Sequence, residues 1–299
     1  DENGNINGIA ADSPDYLQAA LERSQVIVSA ISDIPSGFNL EDIERILEVD
    51  SNTRFGFYMT SNASTDEVLT QLQSTGTTNS SVFFSNSSNM RVADLDTDSF
   101  TIEWSEQAFS NNLTDIALNV ELSSQPPAVG TKLQRETQQE LIDLSDVTDP
   151  VSVEVQVYRE AAQDNLIGFY QITDINGGID IDGDGVADIN PDDAGYKQAA
   201  LTNRITGLDL LQTENEQTTT FNGTFDGDSI LAPFMIVDGT VDEALNDNAE
   251  VYFSFLGANS DGVDHIRLLG DNIFGFEDLV SGGDFDFNDV IVEIDIPVV

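Results

Sequence analysis

The sequence predicts an all-β protein, a β-sandwich or jelly-roll-like fold made of two divergent copies of one unit with a few short helices. Three observations lead there. Short runs alternate apolar and polar residues with period two, as in Val151-Ser-Val-Glu-Val-Gln-Val-Tyr158. Asp, Asn and Gly turns separate such runs at regular intervals. Segments of the first half also return in the second half in the same order.

The remaining strands expected in the second half are Thr218–Phe225, Ile230–Val237, Glu250–Leu256, Ile266–Leu269 and Val290–Ile296. Two amphipathic helices are expected earlier. Asn39 would cap Leu40–Val49, with Ile43, Ile46 and Leu47 on one face, and Thr65 would cap Asp66–Gln73, with Val68, Leu69 and Leu72 inward. Such stripes serve core packing. Gln125-Pro-Pro-Ala-Val-Gly130 is the expected hinge, and Lys132–Thr148 an edge strand. The resulting division is 1–130 for the reduced first copy, 131–150 for the linker or edge strand, and 151–299 for the second copy.

The repeat is carried by five segments. Tyr16-Leu-Gln-Ala-Ala-Leu21 matches Tyr196-Lys-Gln-Ala-Ala-Leu201, and Thr65-Asp-Glu-Val-Leu69 matches Val241-Asp-Glu-Ala-Leu245. Val82-Phe-Phe-Ser85 matches Val251-Tyr-Phe-Ser254. Phe100–Trp104 and Asn111–Leu122 align without a gap to Phe274–Asp278 and Phe285–Ile296, which sets Glu103 against Glu277 and Asp115 against Asp289. Trp104 then stands where the second copy has Asp278, and Asn112 where it has Asp286.

Composition narrows the chemistry. The chain has 55 acidic and 10 basic residues, a formal net charge of -45. Spread over about 12,000 Å² of folded surface, these charges lie ~16 Å apart, beyond the ~8 Å Debye length of physiological salt. Local Asp clusters are therefore a greater electrostatic problem than the average field. The charge excludes nucleic acid as a partner, since phosphates require Lys and Arg. No apolar run is long enough for a membrane-inserted helix. Cys is absent, which removes disulfides and thiolate metal sites. With one histidine, His265, and no Gly-x-Ser-x-Gly elbow, a nucleophilic triad is not expected; His265 is read as a hydrogen-bonded structural residue. Because the chain starts at Asp1 without a signal-like segment, it is expected to be a mature or excised piece of a longer protein.

Two acidic motifs carry the functional expectation. In Asp180-Ile-Asp-Gly-Asp-Gly-Val-Ala-Asp188, the acids Asp180, Asp182 and Asp184, the turn-forming Gly185, the carbonyl of Val186 and Asp188 follow the ligand order of an EF-hand calcium loop. The closing position holds Pro191 rather than Glu, so Asp192 or Asp193 is expected to supply the last oxygens. The second motif joins Glu277 and Asp278 to Asp284, Asp286, Asn288 and Asp289 through Gly282-Gly283. In extended chain Asp284, Asp286 and Asn288 would share one face while Phe285 and Phe287 point to the core. This motif is read as a second calcium cage, against two rivals. Glu277 and Asp289 could serve as structural carboxylates, or as the acid and base of a glycosidase.

Phe274-Gly-Phe-Glu-Asp-Leu279, Gly282-Gly-Asp284 and Asp286-Phe-Asn-Asp-Val290 resemble the signature of a bacterial family, domain of unknown function 4114, across about Leu231 to Ile296. Tyr158-Arg-Glu-Ala161, Asn165-Leu-Ile-Gly-Phe-Tyr170 and Gly195-Tyr-Lys-Gln-Ala-Ala200 are similar to the segment that often precedes it in cyanobacterial members. The resemblance implies an extracellular or cell-surface setting, beside calcium-binding repeats and in adhesins. It implies no established activity.

The sequence therefore points to a calcium-binding, non-enzymatic extracellular module with a structural or adhesive role. Its partners would be calcium and glycans or surface and matrix proteins. A calcium-dependent carbohydrate-binding module, marked by an exposed Trp104 or Tyr196 beside the metal, is the alternative, and a carboxylate glycosidase the third. Replacing Asp182 and Asp184 together with Ala is expected to remove one calcium equivalent in a titration. Unchanged stoichiometry would overturn the loop assignment.

Overall fold

A computed structural model describes residues 4–31, 33–39, 43–51, 53–85, 88–94, 98–105, 115–136 and 140–297. The chain divides into two compact units. One comprises residues 1–24 and 46–126, and the other residues 25–45 and 127–299. The change of unit at Pro126–Pro127 falls within the expected hinge, whereas the crossing of 25–45 into the second unit had no signal in the sequence.

In the first unit, α1 (Tyr16–Leu21) precedes the antiparallel pair β1 (Tyr58–Ser61) and β2 (Ser81–Phe84), which are joined through α2 (Thr65–Thr75). Leu21, Ala63, Val68 and Leu69 form its small core. The α2 cap is Ser64, not Thr65. The Ser64 hydroxyl accepts from the Glu67 N–H at 3.2 Å, and the Glu67 carboxylate accepts from the Ser64 N–H at 2.7 Å, a reciprocal capping box that only this spacing allows. A three-stranded antiparallel sheet follows, in the order β3 (Met90–Asp94), β4 (Ser99–Trp104), β5 (Ile116–Glu121).

The second unit contains β6 (Ile142–Asp143), β7 (Val151–Arg159), β8 (Leu166–Ile172), α3 (Tyr196–Thr202), β9 (Thr218–Phe225), β10 (Ile230–Val237), α4 (Val241–Leu245), β11 (Glu250–Phe253), β12 (Ile266–Gly270), β13 (Ile273–Phe276) and β14 (Val290–Asp295). Five strands form one antiparallel sheet in the order β12-β13-β14-β7-β9. In the other sheet, β10 pairs with β8 along one edge and with β6 and then β11 along the opposite edge. Pro233, which has no N–H to donate, falls where the neighbour changes from β6 to β11. The stretch 132–148 contributes β6, of only two residues, to this sheet.

The two sheets face each other across a single apolar interior. Val151, Val153, Val155 and Val157 of β7, Phe274 and Phe276 of β13, and Val290, Val292 and Ile294 of β14 meet Ile167 and Phe169 of β8 and Leu231 and Met235 of β10. This is a β-sandwich, as the period-two pattern predicts. β10 departs from that pattern because both its faces are covered. Ala232, Phe234 and Ile236 pack on Tyr196, Ala200 and Leu201 of α3 and Ala244 of α4, so the strand is apolar throughout.

The outer face of the five-stranded sheet is covered by residues 25–45. Phe38, Ile31 and Ile43 pack on Tyr158, Leu269, Ile273 and Ile291. The helix expected over Leu40–Val49 is not formed: residues 43–49 have no regular structure, and 40–42 lie outside the described residues. Partners elsewhere in the unit take this segment's polar groups instead. The Glu44 carbonyl accepts from Asp271 N–H, and Arg45 pairs with Asp271 at 2.6 Å while donating to the carbonyls of Ile27 and Gln134. Tertiary bonds of this kind outweigh a weak helix propensity.

Phe274 is fully buried, with its ring centroid 6.5 Å from that of Phe169 across the two sheets. Phe274→Ala is expected to cost about 3–5 kcal/mol, measured as a drop in the urea midpoint at constant m-value.

Candidate metal centre

The site is built by a strand register. β13 and β14 pair with Phe276 opposite Val290. The residues just past that pair, Glu277 and Asp289, are thereby brought to the same end of the sandwich. There the Asp289 Oδ2 accepts from the Asp278 N–H at 2.8 Å. Glu277 is fully buried and Asp278 is 3% exposed. His265 supports the turn from behind. Its Nδ1 lies 2.8 Å from the Glu277 carbonyl, its Nε2 lies 3.1 Å from Asp261 Oδ2, and its ring stacks on Tyr252 at 3.4 Å. It is a hydrogen-bonded structural histidine.

Two carboxylate triads share Glu277. Glu277, Asp284 and Asp286 each place an oxygen within 4.8 Å of the others, and so do Glu277, Asp278 and Asp289. Glu277 Oε1 accepts from the Leu279 N–H at 3.2 Å, while Oε2 is buried without a hydrogen-bond partner among the described residues. Asn165, just before β8, donates Nδ2 to Asp278 Oδ2 at 2.8 Å. Its Oδ1 is likewise buried without a partner among the described residues. Such orphaned acceptors each cost about 1–3 kcal/mol.

The chain between β13 and β14 is not extended, contrary to the alternation expected for Asp284 to Asn288. Ser281, Gly282, Phe285 and Phe287 have φ of 63°, 77°, 61° and 55°. A left-handed conformation costs a non-glycine residue roughly 1–2 kcal/mol, and here it coils the segment tightly enough to return Asp284 and Asp286 to Glu277. Gly283 lies against the Glu277 carboxylate, where a Cβ would collide with it. Phe287 is buried, with the Arg267 guanidinium 3.8 Å above its ring, whereas Phe285 is half-buried over Gly282. Asn288 follows them in the chain and is buried. Its Nδ2 donates to the Asp33 carbonyl at 2.9 Å, and its N–H to Asp286 Oδ1 at 3.4 Å.

Electrostatics separates this cluster from the exposed loop. Burial, then the neighbouring charge of Asp289, pushes the Glu277 carboxyl up to about 8. Burial and the charge of Asp278 raise Asp289 to about 7, against the lowering effect of the Asp278 N–H. Asp278 and Asp286 are raised as well, in both cases chiefly by burial. Asp180 moves the other way, held low by backbone N–H bonds from Gly185 and Gly183.

The Asp180–Asp188 loop is closed at its neck by pairing of Ile179 with Ile189. Asp180, Asp182 and Asp188 approach one another there. Each is also a turn former. Asp180 accepts from the N–H groups of Gly183 and Gly185, both at 2.7 Å, and Asp188 from those of Ile181 and Asp182. Asp184 instead accepts from Val186 N–H and falls outside the triad. Val186 is 65% exposed. Asp193 caps the turn at Asn190, and Asp192 lies against Gly257, so neither joins the three.

Among the described residues the first unit shows no counterpart of this centre. In its ladder Trp104 stands opposite Ile116 and Met90, the place of Phe276 opposite Val290 and Ile266. Buried Ser105 therefore occupies the position of Glu277. Glu103 lies within β4 and pairs with Arg91, so the gapless match of Glu103 to Glu277 is out of step with the strands. Asp115 does precede β5 as Asp289 precedes β14. Asn111 and Asn112 lie outside the described residues. Asn165 was not singled out as a ligand by the sequence. It is 113 residues from Asp278, and nothing local marks a neutral side chain as part of an acidic site.

The fold and the cluster define a β-sandwich with a partly buried acidic cluster at one end. Residues 225–296, from the end of β9 to just past β14, match the family model described as Domain of unknown function (DUF4114). That match agrees with the resemblance of the Phe274–Val290 motifs. No curated protein and no solved structure matches the chain. Among the described residues no helix is long and apolar enough to cross a membrane.

The raised carboxyls set a pH dependence. Unfolded Glu and Asp titrate near 4.3 and 3.9, so between about pH 4.5 and 8 the folded, metal-free chain holds more protons than the unfolded chain. Stability from this pair is complete at the acid end and is lost as pH rises through 7 to 8. In chelator the melting temperature is expected to fall from pH 5.5 to 8, and to fall less in Glu277→Gln. A rise over that range in the parent protein, or an equal slope in the variant, would contradict the burial of Glu277.

Proposed function

We propose that this chain is a calcium-binding, non-enzymatic module of a secreted or cell-surface bacterial protein, in which the cation locks one end of the β-sandwich and the module serves a structural or adhesive role. One observation carries the proposal: the buried, unpartnered Glu277 Oε2 at the shared corner of two carboxylate triads. A buried carboxylate without a compensating charge either takes a proton or takes a cation. Several carboxylates with one buried amide oxygen suit calcium, which accepts six to eight oxygens in loose geometry, better than magnesium, which needs a near-ideal octahedron.

The extracellular setting rests on the resemblance to the family and on the strongly acidic, cysteine-free composition. The rival proposals find less support. Trp104 and Tyr196, the aromatic residues that could have formed a sugar platform, are 3% and 2% exposed. Glu277 has no exposed surface with which to protonate a glycosidic oxygen. In an adhesive role, other parts of the surface would engage glycans or matrix proteins, with the metal holding the scaffold.

At a hundredfold excess over its dissociation constant one calcium site adds about 2.7 kcal/mol, worth roughly 5–10 °C for a unit of this size. Chelator-treated protein is expected to gain that much on adding calcium and little on adding magnesium, with the gain reduced in Glu277→Gln. No calcium-specific shift, or one that Glu277→Gln leaves intact, would refute the proposal.

A further inference from the structure

We infer that the acidic cluster holds two adjacent cations bridged by Glu277, with Asn165 a ligand of the inner one; this rests on the calcium-binding role proposed above. The triads have Glu277 in common and otherwise draw on different residues, Asp284 and Asp286 on one side and Asp278 and Asp289 on the other. Their surroundings differ too. Asp278 is buried and Asp284 exposed, so the inner ion is enclosed by protein while the outer one keeps water.

Charge favours two ions over one. Five carboxylates converge on the cluster. A single divalent cation would leave three negative charges uncompensated around a buried glutamate, whereas two leave one. The glutamate is suited to bridging, because Oε2 is free and Oε1 makes only the 3.2 Å contact with Leu279 N–H. Bridged pairs of this kind place metals about 3.5–4 Å apart.

Asn165 is independent of the acids. It is 2% exposed, anchored through Nδ2 to Asp278, and its amide Oδ1 has no partner among the described residues. A neutral amide oxygen beside a carboxylate belongs to the usual donor set of calcium. Its place at the start of β8 ties the inner ion to the opposite sheet, since β8 pairs with β10 while Glu277 and Asp289 flank β13 and β14.

The test uses the full chain carrying Asp180→Asn and Asp182→Asn, so that the exposed loop does not contribute. Calcium is titrated by calorimetry and counted by native mass spectrometry, with near-ultraviolet circular dichroism verifying each variant's fold. Two equivalents are expected. Asp284→Asn should retain one, Asp278→Asn should retain the other, and Glu277→Gln should retain neither. Asn165→Ala should weaken one ion at least tenfold and spare its neighbour. A second measurement needs no change in the cluster: terbium and europium loaded together should shorten the terbium lifetime by energy transfer between adjacent ions. One equivalent that every acidic variant abolishes, with no energy transfer, would overturn the bridged pair and leave the calcium role standing. No equivalent at all would overturn both, and two equivalents untouched by Asn165→Ala would remove Asn165 from the site.

Discussion

Antiparallel pairing of β13 with β14 is the constraint on which the acidic centre depends. With Phe276 opposite Val290, the next residue of each strand is an acid, and the ladder brings Glu277 and Asp289 together whatever their mutual repulsion. The free energy for that comes from the interior. Phe274, Phe276, Val290 and Val292 are all buried between the sheets. A one-residue slip would turn this apolar set outward, so the register is held far more firmly than the carboxylates oppose it. Strain in the connecting turn, with two phenylalanines at positive φ, has the same origin. It persists because the strands at either end over-determine the path.

The two acidic segments illustrate opposite ways of placing carboxylates close together. In the Asp180–Asp188 loop the acids are solvated and each accepts backbone N–H bonds, so the turn satisfies itself. Around buried Glu277 and Asp278 the acids are partly enclosed, and the backbone donors among the described residues leave Glu277 Oε2 unmet. Desolvation raises their proton affinity, and the proposed calcium binding rests on the same deficit of positive charge. An exposed loop of matching spacing is thus conspicuous in sequence, while the stronger electrostatic demand lies in the less regular motif.

Both units use the same local devices. Each has a helix whose cap forms a reciprocal box, Ser64 with Glu67 and Thr240 with Glu243. In each, a strand pair flanks that helix, with Tyr58 opposite Phe84 and Phe234 opposite Phe253. In each, a tyrosine at the start of a helix donates to a glycine carbonyl, Tyr16 to Gly4 and Tyr196 to Gly177. The chemistry diverges where the ladders end. Ser105 stands at the place of Glu277, so a neutral hydroxyl takes the position of a carboxylate.

Period two and turn residues were enough to define an all-β fold and most strand limits, because those depend on which side chains must leave water. β7 and β9 follow directly from that pattern, and the acids of the C-terminal motif were visible as a cluster. Three features were decided only by tertiary structure. Residues 43–49 gave up their helical pattern for bonds to Asp271, Ile27 and Gln134. Glu103 was matched to Glu277 by residue identity, although the hydrogen-bond ladder sets Ser105 in that place. Asn165 reached Asp278 only through the stacking of two sheets. Local sequence records which groups must be buried or solvated, but partners more than a hundred residues apart meet through packing and register, which no local pattern encodes.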